Sequence, residues 1–189
     1  MILPTGVVHP KSTYILGGDL ARLGEDSTIF IVLEEPMDSQ YIFLVYLEEL
    51  NKKKLNETCG RIMYLHNYFG FRKVFLDCTG LGSGPVDFLS QSNRLGSGLV
   101  EGVTFTNKNK SDMYSNLLML FESGRLKIPQ NKKLIYQILD LRYELSDNGM
   151  IKIHHSSGKH SHDDYPDALA LAAMYWKGSK KRVHRFGIA

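Results

Sequence analysis

The sequence predicts a mixed α/β fold: a central mixed β-sheet, three antiparallel strands followed by parallel strands, flanked by helices. Two patterns carry this expectation. The first quarter of the chain holds three β-rich runs in hairpin succession, Tyr14–Asp19 (YILGGD), Ser27–Glu34 (STIFIVLE) and Gln40–Glu48 (QYIFLVYLE), the last two separated by a turn at Glu35–Ser39. Beyond them, short apolar strands alternate with segments whose apolar residues fall at helical spacing, and strand–helix–strand implies a parallel pair.

The elements follow in order. From Asn56 to Tyr68 the helical spacing of Ile62 and Leu65, with Phe69 just beyond, predicts a helix, and Lys73–Asp77 (KVFLD) is a short buried strand ending in an acid. After the glycine-rich turn Gly80–Gly84, Pro85 suits the first turn of a helix running to about Gln91, and Val100–Phe105 gives a fifth strand. Asp112 is positioned to cap a helix with a core stripe of Met113, Leu117, Leu120 and Phe121, ending at Gly124. A helix Lys132–Tyr143 follows Pro129, then a hairpin Glu144–His154 turning at Asp147–Gly149, and a last helix runs from about Tyr165 to Trp176.

Composition narrows the class. With 43% apolar and 23% charged residues in 189, the chain is an ordinary globular protein of one domain, with a folded core of about 14–176 and a tail at 177–189. Nothing approaches the ~20 apolar residues of a membrane span, and the N-terminus lacks the basic start and apolar stretch of a signal peptide, so the reading is soluble and intracellular. The net charge of +3 is uneven. The tail holds Lys177, Lys180, Lys181, Arg182 and Arg185 and no acid, which leaves 18 basic against 20 acidic residues in 1–176. Cys59 and Cys78 are too few for a disulfide framework and read as reduced, buried thiols; His154, His155, His160 and His162 cluster without cysteines and support zinc only weakly.

Acids recur at element termini: Asp19 and Asp77 at strand ends, Asp164 and Asp167 at the start of the last helix. The carboxyl edge of an open α/β sheet is where ligands bind, and a helix start projects acids back over it. Converging carboxylates repel one another and call for a hard cation with oxygen ligands, Mg²⁺ or Mn²⁺. Two ions about 3.5–4 Å apart clamp a scissile phosphate, one activating water and the other neutralising the leaving oxyanion, so no side-chain nucleophile is needed. The sequence indeed lacks a Gly-x-Ser-x-Gly elbow, a Walker loop and a His-Glu-x-x-His helix.

Each acid also has a plainer reading. Asp19 and Asp77 suit turns or caps, and Asp163 or Asp164 suits the N-cap of the last helix. Asp167 stands in the first turn of an otherwise apolar helix, where an acid facing the sheet is costly unless paired or metal-bound. Gly80–Gly84 (GLGSG) fails as a dinucleotide fingerprint because Pro85 takes the third glycine position, and it reads as a plain helix-start loop or a turn approaching phosphate. Arg22, Lys159, His160 and His162 stand where they would touch DNA phosphates, assist at the metal edge or form ordinary polar loops. The pair Lys108/Lys110 is a weaker candidate, and the basic tail is a phosphate-binding arm or a plain end.

The strand and helix order resembles the ribonuclease H-like arrangement. More specifically, Gly17–Thr28 (GGDLARLGEDST), Lys73–Gly84 (KVFLDCTGLGSG), Val100–Pro129 and His162–Ala172 (HDDYPDALALA) together resemble the nuclease domain of the large terminase subunit of tailed bacteriophages and herpesviruses, over nearly all of Tyr14–Trp176. The resemblance implies a Mg²⁺- or Mn²⁺-dependent endonuclease, binding two ions and cutting concatemeric viral double-stranded DNA with little sequence preference in the cytoplasm of the infected host cell. It implies Asp19 as the ligand bridging both metals, Asp77 as the second carboxylate and the Asp164/Asp167 pair as the third, ranked Asp167, Asp164, Asp163. Its implied partners are an ATPase domain, the portal and the small terminase subunit; no membrane is involved. The resemblance covers no ATPase half with a Walker loop, which implies an excised domain or a split gene product expected to cleave DNA without pumping it. A Holliday-junction-resolvase-like nuclease is the nearest rival; an actin- or sugar-kinase-like ATPase and a non-catalytic DNA-binding module are rivals of other classes.

Overall fold

The computed structural model of the chain describes residues 8–21, 27–91, 95–96, 98–145, 151–155 and 163–178. The strands β1 (Thr13–Asp19), β2 (Ser27–Glu35) and β3 (Ile42–Asn51) form the antiparallel half of a sheet, with Thr13 opposite Glu35 and Asp19 opposite Ile29. Helix α1 (Leu55–Phe69) stops at Gly70, whose φ of 66° supplies the left-handed residue that turns the chain into β4 (Lys73–Asp77). Strand β4 runs parallel to β1, Gly18 lying beside Leu76, so the ends of the two strands, Asp19 and Asp77, are neighbours along one edge. Helix α2 (Gly84–Gln91), β5 (Val100–Val103), α3 (Asn107–Glu122) and β6 (Leu126–Lys127) follow, completing a six-stranded sheet in the order β5-β4-β1-β2-β3-β6. Helix α4 (Lys132–Asp140) leads into a separate hairpin of β7 (Leu141–Leu145) and β8 (Ile151–His155). The chain closes with α5 (Asp164–Ala173) and a 3-10 turn, Met174–Trp176.

The mixed α/β expectation therefore stands, with local corrections. The helix at 132 ends at Asp140 rather than Tyr143: Leu141 continues the helical stripe of Leu134 and Ile138, but Leu141, Tyr143 and Leu145 also alternate as a strand does, and pairing with Ile151–His155 decides for strand. The helix at 113 starts at Asn107, capped by Thr106, whose hydroxyl accepts from the Asn109 backbone while the Asn109 side chain accepts from the Thr106 backbone; Asp112 lies inside it. β5 ends at Val103, and β6, two residues paired with the edge of β3, is too short to leave a pattern. Phe121 is only partly buried, and Tyr114 and Asn116 join the buried face instead. Asp147–Gly149 lies outside the described residues. Among the described residues no helix is long and apolar enough to cross a membrane.

Alternation along the strands builds two cores. Ile15, Ile29, Ile31, Leu33 and Phe75 face α3, α4 and α5; Leu16, Phe30, Val32, Val74 and Leu76 face α1 and α2, with Cys59 and Cys78 buried there as free thiols. Helix α5 is buried at every position from Tyr165 to Ala173, because the sheet lies beneath it and other helices flank it. Its alanines let it settle onto β1 at Gly17. A Cβ there would overlap the Ala168 carbonyl oxygen and come within 2.9 Å of the Ala172 Cβ. At Gly18, on the opposite face, the nearest atoms to a Cβ belong to the Leu76 and Phe30 side chains, at 2.7 and 3.2 Å.

Gly17→Ala is therefore expected to destabilise the fold by about 3 kcal/mol, because it forces two backbones apart, whereas Gly18→Ala displaces side chains and costs less. Urea denaturation of both variants measures the difference, and equal losses would remove the close approach as the governing contact.

Candidate metal centre at the carboxyl edge of the sheet

The same alternation that buries Ile15 and Gly17 toward α5 sends Asp19 to that face at the strand end, and Phe75 likewise places Asp77. The first turn of α5 supplies Asp164 and Asp167, preceded by Asp163 at the N-cap position, where no side-chain capping bond forms. Asp167 is 5% exposed, which settles its direction: it points inward, not to solvent. Acids in a first helical turn are favoured by the N-terminal end of the helix dipole, so α5 tolerates this placement.

Electrostatics tie the acids into one group. Burial pushes the Asp19 carboxyl well above the usual carboxylate range, and the nearby charges of Asp167, Asp164, Asp77 and Asp163 push it further. Burial likewise raises Asp167 to about 6, against the opposing pull of Lys110. Asp77 is held by accepting the Thr79 backbone N–H at 2.7 Å. Lys110 donates to Asp163 Oδ2 at 2.7 Å and to Asp167 Oδ2 at 2.9 Å, and the Tyr114 hydroxyl donates to Asp167 Oδ1 at 2.5 Å. Burial raises the Tyr114 hydroxyl well above its ordinary pKa, with the Asp167 charge adding to it, so it remains a donor.

The site thus gathers Asp19, Asp77, Asp163, Asp164 and Asp167, all singled out in the sequence, and adds two groups from α3. Lys110 stands out weakly in the sequence as one of a lysine pair, and only the capping box at Thr106 marks it as sitting in the first turns of a helix. Tyr114 is four residues on, hence on the same face, but reads as an ordinary core aromatic. Lys108, the other member of the pair, is exposed. Gly80 and Gly82 adopt φ of 80° and 65° in consecutive turns that reverse the chain into α2, as a helix-start loop requires. Arg22, Lys159, His160, His162 and the tail residues Lys180, Lys181, Arg182 and Arg185 lie outside the described residues. His154 and His155 pair with Arg142 and Leu141 through the β8 backbone.

Oxygen-only donors around a carboxyl strained by its neighbours' charge fit a hard divalent cation, which would relieve that repulsion. As they stand, no three His, Cys, Asp or Glu side chains among the described residues are close enough to cage an ion. Two of the acids are instead drawn to an ammonium.

Residues 16–175 match the family model of the terminase RNaseH-like domain. The chain is 26% identical over 187 residues to the terminase large subunit of Thermus virus P23-45, a match spanning 96% of this chain and 35% of that protein. The chain thus spans about a third of the length of this relative. Among solved structures, the large terminase nuclease from thermophilic phage G20c with bound magnesium superposes with a TM-score of 0.73 at 24% identity, covering 88% of this chain and 82% of that one. A large terminase from another thermophilic bacteriophage, in complex with ATP-gamma-S, gives 0.62 at 15% identity, covering 89% of this chain and 41% of that one. These likenesses extend the ribonuclease H-like expectation from strand order to whole-domain geometry.

A carboxyl whose pKa is raised on folding binds more protons folded than unfolded, so metal-free stability falls as pH rises from about 4 upward. Asp19→Asn removes that repulsion. It is expected to raise the metal-free Tm near pH 7.5 by about 2–4 °C, the size of a 1 kcal/mol change in a domain this long, and to flatten the pH dependence. A lowered Tm by calorimetry would contradict the electrostatic account.

Proposed function

Because this chain belongs to the terminase RNaseH-like domain family, we propose that it is a single nuclease domain, residues 1–189 with a core at about 14–176, that hydrolyses phosphodiesters of double-stranded DNA with Mg²⁺ or Mn²⁺. The observation carrying this reading is the convergence of Asp19, Asp77, Asp164 and Asp167 on one sheet edge, with the Asp19 carboxyl under the combined charge of the other acids. Bound there, a pair of divalent ions would supply water activation and neutralise the leaving oxyanion.

The chain's own residues divide the remaining tasks. Asp19, central among the acids, would be the principal carboxylate holding the divalent ions, together with Asp77, fixed by the Thr79 N–H, and with Asp167 and Asp164 from the first turn of α5. Strand β1 and helix α5 are packed too closely to shift independently, which keeps the acids in one geometry. In the full packaging machine such a domain would work beside an ATPase domain, portal and small subunit in the infected host's cytoplasm, cutting concatemeric genomes at the start and end of packaging. Support for that setting comes from the P23-45 large subunit, of which this chain matches only part.

Asp19→Ala and Asp77→Ala are each expected to lower Mg²⁺- or Mn²⁺-dependent plasmid cleavage by roughly 10³-fold with circular dichroism unchanged. Undiminished cleavage would exclude the site. Preference for four-way junctions over linear duplex would replace the packaging role with junction resolution, and ATP binding by calorimetry would revive the kinase-like reading. Cleavage-dead protein that still binds DNA and takes up no Mn²⁺ would leave a docking module.

A further inference from the structure

One cation already sits among the acids. The Lys110 Nζ bridges Asp163 and Asp167 at 2.7 and 2.9 Å, although these lie 53 and 57 residues away in sequence. The side chain is only 20% exposed, and its ammonium stands 5.3 Å from the Phe105 ring centroid and 5.8 Å from that of Tyr114. It is therefore a held group, not a surface lysine that happens to be near. With Tyr114 on Asp167 Oδ1, both oxygens of Asp167 are engaged.

We infer that Lys110 is a tethered counter-cation of the acidic edge, anchored on Asp163, which competes with the divalent ion for Asp167 and must swing away before that ion is fully coordinated. The inference rests on the metal-dependent reading above and adds a positioning residue to it. A divalent ion and an ammonium on the same carboxylate oxygen repel, so Asp167 cannot serve both fully. The backbone of Lys110 need not move for the exchange, since the Thr106–Asn109 capping box pins that turn. The flexible four-carbon stem alone can release the charge. This arrangement also explains why no ready cage of three ligands exists among the described residues: two of the acids are turned toward α3. A fixed structural salt bridge at the same place makes the opposite prediction for metal affinity.

The test is Mn²⁺ calorimetry and metal-free Tm on the whole chain, without DNA. Lys110→Met, which keeps the stem against Phe105 and Tyr114, is expected to bind Mn²⁺ about fivefold more tightly while its metal-free Tm falls. Lys110→Gln, which can still hydrogen-bond to the acids, gives the same tightening if the methionine variant does not fold. Lys110→Arg stays near wild type, and Lys108→Met, which loses the same charge from an exposed position, leaves affinity unchanged. Asp19→Asn separates the two readings. Loss of Mn²⁺ binding in Asp19→Asn with unchanged or weaker binding in both Lys110→Met and Lys110→Gln overturns the counter-cation and spares the metal site. Wild-type Mn²⁺ binding in Asp19→Asn overturns the metal site and the counter-cation with it.

Discussion

The contact on which the site depends is the direct seating of α5 on β1 at Gly17, with no side chain between the Gly17 backbone and the Ala168 carbonyl. Two residues further along the same face of β1 stands Asp19, and one residue before Ala168 in α5 stands Asp167. A single backbone contact thus brings two acids from opposite ends of the sequence to one place. The alanines at 168 and 172, one turn apart on the face that meets Gly17, answer the same requirement, since larger side chains there would lift the helix and separate the carboxylates.

Such closeness has an electrostatic cost that the fold distributes. The helix N-terminus favours the acids of α5, Thr79 favours Asp77, and Lys110 neutralises part of the rest. Burial and the charges of the other four acids raise the Asp19 carboxyl well above the usual carboxylate range, and it is the one that the resemblance implies between two metals. Perturbed carboxyls of this kind cluster at functional sites because function needs the charge density that stability disfavours.

A second set of contacts keeps α5 from rotating. The Tyr165 hydroxyl donates to Glu49 at 2.8 Å, its backbone N–H donates to Gln137 at 3.0 Å, and Asn116 donates to the Ala173 carbonyl at 2.9 Å. Strand β3, helix α4 and helix α3 therefore each hold one point of α5, one of them at its C-terminal end. Rotation of a single helical step would carry Asp167 about 100° away from Asp19, so these remote bonds belong to the site's geometry.

The sequence by itself determined the α/β class, the strand ends at Asp19 and Asp77, and the unusual position of Asp167, because alternation, helical periodicity and an acid in an apolar helix are all local signals. Boundaries failed where a local pattern served two structures, as at Leu141–Leu145, or where pairing supplied the only signal, as at Leu126–Lys127. What only the tertiary structure decided was the company the acids keep. Lys110 is only a weak phosphate-contact candidate in sequence, Tyr114 an ordinary helix residue and Gly17 a plain glycine in a strand; each acquires its role from a segment 50 or more residues away. The reason is physical: a local pattern fixes which face a side chain takes, whereas charge pairing and backbone contact depend on which element folding places opposite that face.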